Sequence, residues 1–138
     1  MDLSYLMLTG SLSGLISLLA HSVVWSGVEL IRGPARASAL AHSAIAVSEA
    51  LLHMLCGISL GLLFWLSWGL AAVVDVSWWV RGLSFGSLCW FALTLPTLLD
   101  LAFAKRVPSN AAALAASRWA TTCLITSLAC AWGWERAL

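Results

Sequence analysis

The chain has 138 residues, of which 62% are hydrophobic and 9% charged, with a net charge of +1. Soluble domains carry about 25% charged residues and about 45–50% apolar ones. A lone soluble globule built from this chain would lack the groups to coat its surface, and the same apolar excess excludes a disordered chain. The near balance of charge also excludes a nucleic-acid footprint, which needs clustered Lys and Arg.

The charges fall between long apolar runs. Leu3–Val28 contains no Asp, Glu, Lys or Arg. Its only preceding charge is Asp2, which is acidic, so the run reads as a retained membrane span rather than a secretory signal. Ala50–Val74, Gly82–Leu99 and Trp119–Trp134 are likewise free of charge. A spanning helix needs about 20 mostly apolar residues. The first two runs reach that length. The third does so when extended through Asp100 to Ala104, and the fourth when Arg118 sits near an end or snorkels. Backbone groups in lipid must satisfy one another, which selects helices. The expectation is an all-α polytopic membrane protein. Its four transmembrane helices form one antiparallel bundle over residues 1–138, with spans near 3–28, 44–74, 78–104 and 111–134.

The breaks agree with this division. Gly33-Pro34 ends the first helix, and Asp75-Val76-Ser77 makes a short second turn. Lys105-Arg106-Val107-Pro108-Ser109-Asn110 forms the third connection, with Ser109 or Asn110 as a helix cap. Pro96 falls inside the third span and predicts a kink, with Thr94 and Thr97 placed to take up freed backbone groups. Ser38–Val74 has no Pro and reads as one helix of roughly 55 Å. Its polar end, Ser38–Glu49, is expected to leave the bilayer or tilt. Gly57, Ser59 and Gly61 predict a close helix contact.

Arg32, Arg36, Lys105 and Arg106 lie in the first and third connections, against Arg81 and Arg136 opposite. The positive-inside rule then places both termini on the non-cytoplasmic side. Trp68, Trp78, Trp79, Trp132 and Trp134 fall at the outer boundary and read as an anchoring belt.

The first hairpin holds the polar constellation His21, Glu29, His42, Glu49 and His53. His42, Glu49 and His53 share one helix face, and Glu49 and His53 are four residues apart. Folding the hairpin about position 35 matches residues whose numbers sum to about 70. That sets His21 level with Glu49 and Glu29 level with His42. Such a cluster suits an ion or proton relay, a divalent metal held by imidazole and carboxylate, or haem b carried by His21 and His53. The competing expectation is structural: polar groups in lipid pair because leaving them alone is costly. Asp100 and Arg118 bracket the third connection and predict an inter-helix ion pair. Cys56, Cys89, Cys123 and Cys130 form no C-x-x-C motif and read as small buried hydrophobes.

No nucleophile motif, phosphate loop or paired-carboxylate signature appears. The leading expectation is a non-enzymatic accessory or structural subunit, working through contacts with another membrane protein or with copies of itself. The alternative is a small oligomeric transporter or ion/proton pathway using the His/Glu face. A third is a haem- or metal-binding redox subunit.

Overall fold

The computed structural model describes residues 3–32, 47–67, 76–103 and 108–136, with backbone alone for residues 28–32 and 109. Among the described residues, five α-helices and one π-helical turn follow in order: α1 (Leu3–Arg32), α2 (Val47–Leu66), α3 (Trp78–Cys89), the π-turn (Trp90–Thr94), α4 (Leu95–Phe103) and α5 (Ser109–Arg136). No strand occurs among the described residues. The stretches Leu3–Gly27, Val47–Leu66 and Trp78–Phe103 are long and apolar enough to cross a membrane. The third is one rod made of α3, the π-turn and α4. The remaining helix, α5, carries Arg118, Glu135 and Arg136.

Two of the expected features take a different form. The second helix stops at Leu66, where the apolar pattern runs on to Val74. Its end is closed by Ser67, whose N–H reaches the Leu63 carbonyl at 2.9 Å. The Ser67 hydroxyl donates to the Phe64 carbonyl at 2.9 Å, a local alternative to continued helix. The polar stretch 38–46 and residues 68–74 lie outside the described residues. At Pro96, the chain widens a turn. Proline has no N–H to give the Ala92 carbonyl, and its ring crowds that carbonyl. Just before it the Leu95 N–H bonds Trp90 O, five residues back, a π-type bond. Thr97 Oγ1 donates to Leu93 O at 3.1 Å, taking up a neighbouring carbonyl. At the start of α5, the Pro108 carbonyl accepts the Ala112 N–H, and Asn110 Oδ1 accepts the Ala111 N–H at 2.9 Å.

Glycine sets the helix contacts. Three helices carry a G-x-x-x-G pair: Gly10/Gly14, Gly57/Gly61 and Gly82/Gly86. Such spacing puts two glycines on one face and lets backbones approach closely. A Cβ built on Gly10 would strike the Gly57 carbonyl, and one on Gly57 the Gly10 carbonyl. A Cβ on Gly14 would strike the His53 carbonyl, and one on Gly61 would lie 2.9 Å from Leu6 O. A Cβ on Gly82 would lie 2.9 Å from Leu128 Cα and one on Gly86 2.8 Å from Cys123 O, both across to α5. The α1–α2 hairpin and the α3–α5 pair are therefore each closed by backbone-to-backbone contact.

The helix α5 is the hub, packed on α1, α2 and α3. Its inward residues include Thr122, Cys123, Thr126, Ser127, Cys130, Ala131 and Trp134, all buried. A helix covered on three sides has no need of an apolar circumference, which explains why the most central helix is also the least oily. One core cluster joins Leu6, Phe64, Cys130, Ala131 and Trp134, with Trp78 and Phe85 against it. Phe64 meets Phe85 edge-on at 5.1 Å and Trp134 at 6.1 Å. A second cluster joins Leu60, Cys89 and Cys123, with Cys56, Phe85 and Trp90 beside it.

The tryptophan belt needs correction at one position. Trp79 and Trp132 are exposed, and Arg136 lies over the Trp132 ring at 4.1 Å. Trp134 instead is 5% exposed and fills the core. Trp68 lies outside the described residues. All four cysteines are free thiols, three of them buried.

Candidate functional site

The polar residues of the first hairpin meet α5 at the junction of α1, α2 and α5. Glu49 sits in the first turn of α2, where the helix dipole favours a carboxylate. Arg118 reaches it from α5, its Nη1 donating to Glu49 Oε1 at 2.6 Å. The two side chains are 43% and 30% exposed, so this pair lies at the wet edge of the junction. One turn further along α2, His53 is 2% exposed. Its Nδ1 lies 2.8 Å from Thr122 Oγ1, and its ring stacks on Trp119 with centroids 4.5 Å apart. Glu49/Arg118 and His53/Thr122 have the same sequence offset of 69. The steps Glu49–His53 and Arg118–Thr122 are each one helical turn, so α2 and α5 run parallel and present matching rungs.

Helix α1 adds the third side. Ser17 Oγ lies 2.9 Å from Thr122 Oγ1 and 2.7 Å from Gly14 O. His21 Nε2 lies 3.2 Å from Ser117 Oγ, and its ring stacks near Trp25 at 6.2 Å. Thr122 Oγ1 also lies 3.2 Å from the Arg118 carbonyl. The hydroxyls therefore have two self-consistent arrangements, since each has one proton and two lone pairs. In one, Ser17 donates to Thr122, Thr122 donates to Arg118 O, and His53 Nδ1–H donates to Thr122. In the other, Ser17 donates to Gly14 O and Thr122 donates to an unprotonated His53 Nδ1. His53 thus meets a partner able to serve either state of its Nδ1.

A cavity of about 130 Å³ opens beside these groups, lined by Glu49, Leu52, His53, Ala115, Arg118 and Trp119. Arg118 Nε is buried against its edge without a partner among the described residues. The π-turn supports the same helix from behind, with Trp90 Nε1 donating to the Ala116 carbonyl at 3.1 Å.

The hairpin register differs from the one expected from its loop. Gly10 faces Gly57, Gly14 faces His53 and Leu6 faces Gly61, each pair summing to 67. Glu49 is therefore displaced from His21 by about three residues, roughly 4.5 Å along the axis, and His53 by about seven, roughly 10 Å. The two histidines serve separate rungs of α5. They do not fit as a haem pair: the axial offset is too large, and the glycine contacts leave α1 and α2 touching where a macrocycle would have to lie. No group of three or more His, Cys, Asp or Glu is arranged to hold a metal among the described residues. His42 and the side chain of Glu29 lie outside the described residues.

Arg118 also takes a different partner from the one expected. It closes on Glu49, whereas Asp100 is exposed on α4. The facing of a helix, and not its height alone, chooses the pair, and α5 turns its Arg118 face to the hairpin. Ser17, Ser117, Trp119 and Thr122 were not legible as site residues. The available signal was the one-turn spacing of Arg118, Thr122 and Thr126, which puts a cation and two hydroxyls on one helix face.

No protein-family model matches the chain, and no curated protein or solved structure shows a significant similarity to it.

Proposed function

We propose that this is a four-span membrane protein whose α1–α2–α5 junction handles protons or small ions. In this reading α5 crosses alongside the three apolar spans, both termini share the non-cytoplasmic side, and Glu49 and Arg118 stand near the cytoplasmic boundary. The observation that carries it is the cavity lined by Glu49, His53 and Arg118, where His53 is also the first member of the His53–Thr122–Ser17 hydrogen-bonded chain. Ionisable groups within membrane helices are costly and mark ion or proton paths when they face a water-reachable space.

The role of each group follows from its chemistry. His53 is the group whose imidazole can accept and pass on a proton through its ring nitrogens, while Thr122 orients its ring. Arg118 and Glu49 set the field at the mouth and neutralise one another. The test is proton or cation flux in proteoliposomes carrying a pH dye. The native chain is expected to conduct above empty vesicles, and His53→Phe and Glu49→Gln are expected to lower that flux at least about tenfold. Native flux equal to that of empty vesicles refutes the proposal.

The second reading is a non-enzymatic accessory subunit. It is favoured by the outer face of the α3–α4 rod, where Leu88, Phe91, Leu93, Leu99 and Phe103 are all exposed. Under it the polar groups serve only to hold the bundle, and changes to His21, Glu49 and His53 alter stability alone. Co-purification of one stoichiometric membrane partner in mild detergent, without flux by the isolated chain, would favour this reading.

A further inference from the structure

The polar contacts between α1 and α5 continue beyond the site, and they end abruptly. His21 pairs with Ser117 and Ser17 with Thr122. Advancing one turn on each antiparallel helix brings Ser13 level with Thr126, on the same faces. Both are buried, Ser13 at 4% and Thr126 at 0% exposure. Ser13 Oγ donates to Gly10 O at 3.0 Å and keeps its lone pairs. Thr126 Oγ1 has no partner among the described residues. A buried hydroxyl without a partner is unfavourable, and buried water is the usual remedy where several polar groups converge. One turn further the chemistry changes sign. Cys130 and Trp134 continue the α5 face and pack with Leu6, Phe64 and Ala131, each at most 5% exposed.

From these observations we infer that the α1–α5 seam is a blind, water-holding path. It is entered from the Glu49/Arg118 cavity between α2 and α5 by way of His53, runs past Thr122 and Ser17 to Ser13 and Thr126, and is closed at the far end by Leu6, Phe64 and Trp134. The polarity falls in steps along the α5 face: a guanidinium at Arg118, hydroxyls at Thr122 and Thr126, then a thiol and an indole. Water has strong hydrogen-bonding partners over the first three of these rungs, whereas the last two offer only a weak thiol and one indole N–H within an apolar cluster. Protons therefore reach and leave His53 from one side only in this conformation, and passage through needs the aromatic plug to part. This inference rests on the proton-handling reading for its purpose, but the wetness of the seam is a separate physical property.

The test uses silver ion, a thiol probe small enough to follow single-file water. Ser17→Cys and Ser13→Cys are placed in a chain whose four native cysteines are replaced by alanine. Silver is applied from either face of sealed membranes, and blocked thiols are counted afterwards by maleimide labelling in detergent. A cysteine in the segment joining α1 to α2 marks the Glu49 face. The expected result is blocking of both positions from the Glu49 face at least about tenfold faster than from the other. Equal or faster blocking from the Trp134 face overturns the inference, as does no blocking from either.

Because these variants strip native thiols from the core, water-edited solid-state NMR on the unmodified chain in bilayers gives a second reading. Rapid magnetisation transfer from water to Ser13 and Thr126, with none to Leu6 and Ala131, supports the blind path. Transfer absent at Ser13 and Thr126 overturns it. A wet seam in a chain that carries no current leaves this inference standing and removes the functional reading. Current through a chain with a dry seam removes this inference alone.

Discussion

Gly57→Ala is the sharpest perturbation of this architecture. The added Cβ would fall on the Gly10 carbonyl and lie 3.4 Å from Gly14 Cα. Both obstacles are backbone, so no side chain can rotate away and the two helices must part. Overpacking a close contact costs about 1–3 kcal/mol, and a backbone obstacle argues for the upper end. Alanine returns at most about 1 kcal/mol through its higher helix propensity, leaving a net loss of about 2 kcal/mol. At about 4 °C per kcal/mol for a chain of this size, the thermal midpoint should fall by about 8 °C. Gly27→Ala is the matched control, because nothing lies within 4 Å of its Cβ position. It should leave the midpoint unchanged or raise it by up to about 4 °C on the same propensity argument. Thermal unfolding in mild detergent, followed by tryptophan fluorescence and by size exclusion, measures both. Equal midpoints for the two variants would refute the α1–α2 glycine contact and with it the hairpin register.

Further outcomes follow from the junction. A double-mutant cycle of Ser17→Ala and Thr122→Val should show a coupling of about 0.6 kcal/mol and at most about 1.7, the range for hydroxyl bonds between membrane helices. Zero coupling would mean the two hydroxyls do not meet. A cycle of Glu49→Gln and Arg118→Met should give no more than about 1 kcal/mol, since the pair is partly exposed, and the value should shrink in high salt. A salt-independent coupling of several kcal/mol would place the pair deeper than its exposure indicates. Trp90→Phe keeps an aromatic ring and deletes the bond to Ala116 O, so it should cost about 1 kcal/mol. Stability equal to the native chain would show that the indole N–H does not anchor the π-turn to α5.

The charge-free runs were legible because hydropathy and helix length are local quantities, set by residues within a few turns. The interruption at Pro96 was legible for the same reason, as was the small-residue face at Gly57 and Gly61. The hairpin register was not. Loop symmetry predicts a sum of 70, whereas the glycine contacts set 67, because backbones settle where side chains are smallest and not where the connection is centred. The Arg118 partner was not legible either. Height suggested Asp100, but the rotation of α5 about its axis decides which neighbour the guanidinium meets. Trp134 makes the same point. Its position at a helix end reads as an anchor, yet it lies on the face that continues Thr122, Thr126 and Cys130, and that face is inside.

By itself, the sequence determined that this chain is helical and that its histidines and two of its acids belong to the first hairpin; of the four spans it led us to expect, three are helices long and apolar enough to cross a membrane. Those conclusions need only composition, spacing and the length of a span. Tertiary structure alone decided that α5 is the hub, that the G-x-x-x-G faces are consumed within the bundle, and that Glu49 and His53 answer to Arg118 and Thr122. The reason is that facing depends on how each helix turns about its own axis. That rotation is set by the joint fit of glycine contacts on α1, α2 and α3 with α5, so no single segment contains it.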